Sequence, residues 1–462
     1  MSISLRFFNV GQGDSILIEL PDGSYGMVDC HFDPLLGQAK PPALEFLEQR
    51  SDVCLRFICI THFDYDHFRG ITQVLQHVAD ARWSIDEMWL PAVLDLKEIG
   101  EVFEKDKSDL IGLTTEERSA WTIPTGAVEY AVDRAGEWKE LVGRVLYNCY
   151  AQSGRRVPSM LEPFGAPRFR PVFISARCPL YVFPLPDMSQ AKGNDLPHLQ
   201  ISAISPVVPP WFFPPALVKQ IRARNAPFGE APFARNPYLP EAEVVAERNP
   251  ASLVLQLVLG QTAIILTGDD ADQRMWRAAM DHAENPYGAV KTPKGYHLVK
   301  APHHGAAANK AFWSRVLLDG SNVVISASNE GNNYNHPSPE TLSLLWRKHR
   351  LNPVHLWCTN TSSWCREAIS AGAVQSRGLT QPRPMAPDLL DCLETFTGVA
   401  EDPTPNNCCR SHLFRCYPDG SVRHEPAKAQ APVQTCPLMA QDEEEFSRSR
   451  LAQVARARAN GR

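Results

Sequence analysis

Five times along this chain a short run of apolar, strand-forming residues leads straight into a histidine or an aspartate. "SYGMVDCHFD" carries Asp29, with His31 and Asp33 close behind. "CLRFICITHFDYDH" ends in His62, Asp64, Asp66 and His67, "TAIILTGDD" in Asp269, "HLVKAPHHG" in His303 and His304, and "NVVISASNEGNNYNHP" in His336. Runs this apolar read as strands covered on both faces, as in sheets flanked by helices. An ionisable group just past such a strand sits at its C-terminal edge, where open α/β layers place their chemistry. The recurrence predicts a layered α/β protein with its polar residues gathered at one edge.

The segments between the strands fit that reading. "ALEFLEQR", "GITQVLQHV", "AGEWKELVGRVLYNCYAQS", "DDADQRMWRAAMDHA", "NKAFWSRVLL" and "SPETLSLLWRKH" have helical spacing, and "HLFRCYPDGSVRHE" reads as a late hairpin. Two stretches exceed what a compact layered domain needs. Residues 97–193 read as a helical insertion, and residues 207–247, which include "PPWFFPP", as a proline-rich excursion. Residues 1–436 are thus read as one domain with two insertions. A charged helix or flexible tail follows over 437–462.

Composition narrows the class. With 462 residues, 44% hydrophobic, 21% charged and a net charge of −6, the chain is not a globally basic nucleic-acid coat, although a local basic groove remains compatible. The N-terminus enters a strand directly, without a basic n-region or an apolar h-region, and the apolar runs are too short to span a bilayer. The expectation is a cytoplasmic protein without a membrane segment. The twelve cysteines include no Cys-x-x-Cys pair. They read as reduced thiols, and those near His412 and His424 lack the tight spacing of a closed zinc site.

The most specific signal is "THFDYDH". His62, Asp64, Asp66 and His67 put two imidazoles and two carboxylates into six positions, ligand types that divalent metals accept. An ordinary helix cap uses one such residue, not four. A catalytic site needs further ligands from elsewhere, and the other strand ends offer them. No Gly-x-Ser-x-Gly elbow and no phosphate-binding glycine loop of the Walker type is present.

"FFNVGQGDSILIELPDGSYGMVDC" followed by "THFDYDHFRG" resembles the metallo-β-lactamase fold, and more narrowly the soluble hydrolase domain of ComEC-type DNA-uptake proteins. The resemblance continues through "ISAISP", "NPASLVLQLVLG", "ILTGDD", "VKAPHHG" and "NHPSPETL". It implies a four-layer αββα sandwich and a site holding two divalent ions, Zn²⁺ or Mn²⁺. Carried onto this chain, it makes His62, Asp64, Asp66 and His67 ligands, Asp269 the bridging carboxylate, and one of His303 and His304 the closing ligand of the second site. Two departures stand out. Asp64 occupies a position where the wider fold usually has histidine, which shifts preference toward oxygen-loving Mn²⁺. The wider fold also supplies a histidine between the first loop and the bridging Asp; His198 in "NDLPHLQIS" is the candidate for it, and without it one metal position is weak.

The implied chemistry is hydrolysis by a water that the metals activate, with Asp66, His336 and Lys300 as candidate catalytic residues. Lys300 either reaches a substrate phosphate or points away from it along its strand; both stay open. The resemblance points to DNA or a nucleotide as substrate. Two alternatives stand beside it: hydrolysis of amide, peptide, ester or lactone bonds, and a metal-binding component of a multi-protein system such as defence against foreign DNA. A protein partner would dock through the insertions or the tail.

Overall fold

The structure is a computed structural model. It describes residues 2–62, 64–81, 83–91, 135–153, 156–157, 159–174, 179–184, 198–205, 252–269, 293–306, 310–327, 336–359 and 411–425. The 207–247 excursion, the helix expected at "DDADQRMWRAAMDHA" and the 437–462 tail lie outside these residues.

Among them, two sheets form the centre. The first orders its eight strands as β15 (Val422–Glu425), β14 (His412–Cys416), β1 (Ile3–Phe7), β2 (Ser15–Glu19), β3 (Tyr25–Cys30), β4 (Cys54–Cys59), β5 (Ser84–Pro91) and β6 (Arg170–Ile174). The second orders seven as β13 (Val354–Cys358), β12 (Leu317–Ile325), β11 (Tyr296–Lys300), β10 (Thr262–Thr267), β9 (Val254–Leu259), β8 (His198–Ser205) and β7 (Pro179–Pro184). Strands β3 to β6 run parallel, as do β10 to β13; the remaining pairs are antiparallel. β6 and β7 fall inside the region expected to be a helical insertion, and each lies at the edge of a sheet.

Side-chain alternation sets the layers. Ile16, Ile18, Val28, Phe57 and Trp89 of the first sheet meet Leu255, Leu257, Ile264, Leu266 and Leu298 of the second in a dry middle layer. The opposite face, including Leu17, Met27, Leu55 and Ile58, packs on α1 (Pro42–Glu48), α3 (Ile71–Asp80) and α4 (Ala135–Ser153), an irregularity in β4 between Leu55 and Phe57 switching the alternation there. Ile265, Val299, Val323 and Leu356 pack outward on α5 (Lys310–Val316) and α6 (Pro339–Leu351). The result is the αββα sandwich the sequence predicts. Both faces of β10 are covered, which is why Ala263, Ile264, Ile265 and Leu266 are apolar without alternation. α6 opens on Ser338, whose hydroxyl accepts from the Thr341 N–H at 3.1 Å, and ends in Lys348, His349 and Arg350, signs suited to the helix dipole. Among the described residues no helix is long and apolar enough to cross a membrane.

Candidate metal centre

The parallel strands of both sheets end at the same rim of the sandwich. From the first sheet, β3 carries Asp29, whose backbone is left-handed (φ 52°), and β4 runs into Thr61 and His62. The short helix α2 (Tyr65–Phe68) then presents Asp66 and His67. From the second, β10 runs into Asp269, and β11 into a 3₁₀ turn, Pro302–Gly305, bearing both histidines. Gly268 is needed where these halves meet: a Cβ there would lie 2.8 Å from Thr61 Oγ1 and 2.9 Å from Ser252 Cβ.

Asp29 does not face the opening. It accepts from the Thr61 N–H at 2.7 Å, the Thr61 hydroxyl at 2.6 Å and His67 Nδ1 at 2.7 Å. With its Nδ1 proton held there, His67 presents the bare lone pair of Nε2 to the pocket. His62 is set the same way. Its Nδ1 lies 3.1 Å from Thr61 Oγ1, which already donates to Asp29, so Nδ1 is the donor and Nε2 stays free. Carboxylate or hydroxyl partners that fix the tautomer in this manner are the usual support of metal-binding imidazoles.

Asp269 is the hub. His67 Nε2 lies 3.4 Å from its Oδ1, and His304, His303 and His62 Nε2 lie 3.6, 3.7 and 3.8 Å from its Oδ2. His62 Nε2 is also 3.5 Å from Asp64 Oδ2, and His304 Nε2 3.5 Å from Asp66 Oδ2. These spacings lie at or beyond the outer limit of a hydrogen bond and well past the usual length. They suit a shared cation, since atoms about 2.0–2.2 Å from one ion at tetrahedral angles lie about 3.3–3.6 Å apart. His62 Nε2, His67 Nε2, His304 Nε2 and Asp269 Oδ1 are all buried without a hydrogen-bond partner. Buried polar atoms are rarely left so. Four of them converging is the arrangement that a divalent cation satisfies.

The electrostatics agree. Burial opposes ionisation of Asp269, yet His304, His67 and His62 outweigh it and hold the carboxyl well below the usual carboxylate range. Asp66 is likewise held low, by His67 and His304 against its own burial. Burial works against a charged His67 and His304, but the surrounding carboxylates, Asp269 foremost, push both pKa values up. The carboxylates therefore favour positive charge in the pocket, whether a proton on these rings or a cation in its place.

All seven candidate ligands read from the sequence, His62, Asp64, Asp66, His67, Asp269 and the pair His303 and His304, of which one is expected to bind, thus meet at one rim. Both members of the histidine pair face Asp269, because two consecutive left-handed residues (φ 45° and 49°) splay their rings to centroids 6.2 Å apart. His336 stands on the outer side, its ring 5.1 Å from that of His303, and burial lowers its pKa to about 3. The start of α6 joins it there, through the Ser338 N–H donating to the Gly305 carbonyl at 2.9 Å. Lys300 takes the second of its two open orientations: it is wholly buried and paired with Asp14. His198 opens β8, and its side chain lies outside the described residues.

Asp14 is the residue the sequence reading passed over. It precedes β2 in the "VGQGD" turn and is 1% exposed. Oxygen or nitrogen atoms of Asp14, His67, Asp269 and His304 all lie within 4.8 Å of one another. Its N–H donates to the Asp66 carbonyl at 3.1 Å, and its carbonyl accepts from the His31 N–H at 3.0 Å. Gly13 makes this possible: φ is 132°, and a Cβ would collide with the Asp66 carbonyl oxygen.

No protein-family model matches the sequence, and no curated protein matches it. Among solved structures, CmlA, a diiron beta-hydroxylase from Streptomyces venezuelae, is similar at 10% identity over 75% of this chain and 51% of that one, with a TM-score of 0.30. A long form RNase Z from yeast is similar at 8% identity over 94% of this chain and 50% of that one, with a TM-score of 0.32. The chain spans about half the length of each. The layer order and the site described above rest on this chain's own contacts.

Proposed function

We propose that this chain is a metal-dependent hydrolase that cleaves phosphodiester bonds in a nucleic acid or nucleotide. The observation that carries the reading is the set of buried, partnerless ligand atoms around Asp269. The distances support two cation positions sharing that carboxylate. His62, Asp64 and His303 would hold one, and Asp66, His67 and His304 the other. On this division His303 takes the place of the histidine that the metallo-β-lactamase resemblance leaves without a counterpart. Zn²⁺ or Mn²⁺ fits a mixed nitrogen and oxygen donor set, and the three carboxylates favour Mn²⁺ more than an all-histidine site would.

When bound, a pair of such ions supplies Lewis acidity and makes a water acidic enough to attack near neutral pH. The chain's own residues do the rest. Asp66, whose side chain is 26% exposed, lies at the mouth and is held ionised, so its oxygen turned away from His304 can accept a hydrogen bond from the water and orient it. His336, kept neutral by burial, offers an uncharged imidazole to the scissile group from the side of His303. The N-terminus of α6 beside it favours an anionic substrate.

The test uses the full chain stripped with EDTA and reloaded with Mn²⁺ or Zn²⁺. It is assayed on single- and double-stranded DNA, RNA and a small phosphodiester, with elemental analysis alongside. Metal-dependent cleavage is expected, lost in Asp269→Ala while the circular dichroism spectrum is kept. A folded chain that takes up no divalent ion refutes the reading, as does cleavage indifferent to Asp269→Ala. Turnover confined to lactones or amides would move the chain to the other substrate class.

A further inference from the structure

Lys300 is unusual for a lysine. It is 0% exposed at the end of a central parallel strand, and its ammonium ion-pairs with Asp14 Oδ2. Strand parity places it there: Leu298, two residues earlier, points into the layer between the sheets, and Lys300 follows on the same face. Asp14 reaches the same space from the first sheet. Its Oδ1 accepts from Ser326 Oγ at 2.5 Å, and its Oδ2 lies 3.6 Å from His67 Nδ1. Asp14 is thus close enough to the cluster to act as a ligand, yet its charge is already taken. The pair is within electrostatic reach of the site, since ligand-type atoms of Asp14, His67, Asp269 and His304 lie within 4.8 Å of one another.

Burying an ammonium is costly, and a neutral polar residue at position 300 would satisfy Asp14 with less desolvation. A count of charge gives the pair a purpose. Asp29, Asp64, Asp66 and Asp269 put four carboxylates around the candidate centre. Two divalent cations balance four negative charges; a fifth from Asp14 would leave an excess.

We propose that Lys300 is a built-in counter-cation. It cancels Asp14, keeps that carboxylate out of the coordination sphere, and so sets the affinity of the centre for divalent ions. Lys300 and Asp14 are positioning residues, touching no substrate. The inference rests on the metal-centre reading above.

The experiment is a charge cycle on the full chain: wild type, Lys300→Met, Asp14→Asn and the double variant, each titrated with Mn²⁺ by calorimetry or electron paramagnetic resonance. Lys300→Met leaves Asp14 uncompensated and is expected to bind Mn²⁺ tighter by on the order of ten-fold or more, as one added unit charge near a divalent ion implies. Asp14→Asn leaves a lone ammonium and is expected to bind weaker by a similar factor. The double variant, neutral again, is expected to return to about the wild-type affinity. A role confined to packing would move stability in all three without this alternation of sign.

Singles that shift affinity in the same direction, or not at all, overturn the inference. Where Lys300→Met fails to fold, the comparison of Asp14→Asn with the double variant decides: recovered affinity in the double supports it, and persistent weakness overturns it. Wild-type protein that binds no Mn²⁺ or Zn²⁺ removes the metal reading and this inference together. Normal wild-type binding with an unresponsive cycle removes this inference alone.

Discussion

His303 offers a direct test of whether the centre is assembled against local backbone preference. Its φ and ψ are 45° and 52°, in the left-handed region, and the next residue is left-handed too. For a residue with a Cβ this conformation costs roughly 1–2 kcal/mol. Glycine escapes that cost but loses about 0.5–1 kcal/mol more backbone entropy on folding than alanine does. At an ordinary helical or extended position glycine is therefore the less stable of the two. At position 303 the order should reverse, with His303→Gly more stable than His303→Ala by about 0.5–1 kcal/mol. The comparison is clean because both variants delete the same ring, and the pair differs in one methyl group and the φ/ψ preference. The assay is urea unfolding of both variants in EDTA, so that lost ligation does not enter, with midpoints compared at equal slope. Equal stability, or alanine above glycine, would refute the strain argument. Both variants should also bind Mn²⁺ more weakly than wild type, because the ring whose Nε2 lies 3.7 Å from Asp269 is gone.

Two further outcomes are expected. Asp29→Ala removes the acceptor that orients His67 and should weaken Mn²⁺ or Zn²⁺ binding about 10- to 100-fold, read by metal titration of the folded variant; unchanged affinity would show that the contact is dispensable. Cys30 and Cys416, whose thiols burial pushes up to about 12, should resist iodoacetamide at pH 8 in the native protein and react once it is unfolded, read site by site by mass spectrometry.

Much of this architecture was legible because one physical rule repeats. A strand covered on both faces has to be apolar, so a polar residue at its end announces the rim of the sheet. That rule identifies Asp29, the His62–His67 loop, Asp269 and the histidine pair. It is blind to residues that reach the rim from the other direction. β2 runs antiparallel to β3, so Asp14, just before β2, arrives at the edge where β3 ends. Ser252, just before β9, likewise accepts from the Asp269 N–H at 3.2 Å, because β9 is antiparallel to β10. A search for ionisable groups after strands misses both. The direction of Lys300 stayed open for another reason: it depends on which face of β11 meets the other sheet, and that parity is fixed by tertiary packing. The partition of His303 and His304 depends on left-handed backbone that two ordinary-looking residues give no cause to expect.

The contacts around the centre also explain why its residues come from both sheets. The Leu253 N–H donates to the Thr61 carbonyl at 2.8 Å, tying the entry of β9 to the loop after β4. Ser326, after β12, donates to Asp14, before β2, and Lys300, the last residue of β11, pairs with the same carboxylate. The His303 N–H donates to the Gly268 carbonyl at 3.2 Å, closing the loops of the second sheet on one another. The middle layer is apolar and directionless, and burial alone would tolerate small sliding of one sheet on the other. These polar links do not, since each has a fixed length and angle. Register between the sheets is therefore set by polar links, those at the rim made by groups one or two steps from the candidate ligands and one at the far end by the Gln261 N–H donating to the Pro418 carbonyl at 2.7 Å. A change at Asp14, Thr61 or Ser326 should loosen the alignment of the two ligand halves before it loosens the fold, because His62, Asp64, Asp66 and His67 come from the first sheet and Asp269, His303 and His304 from the second.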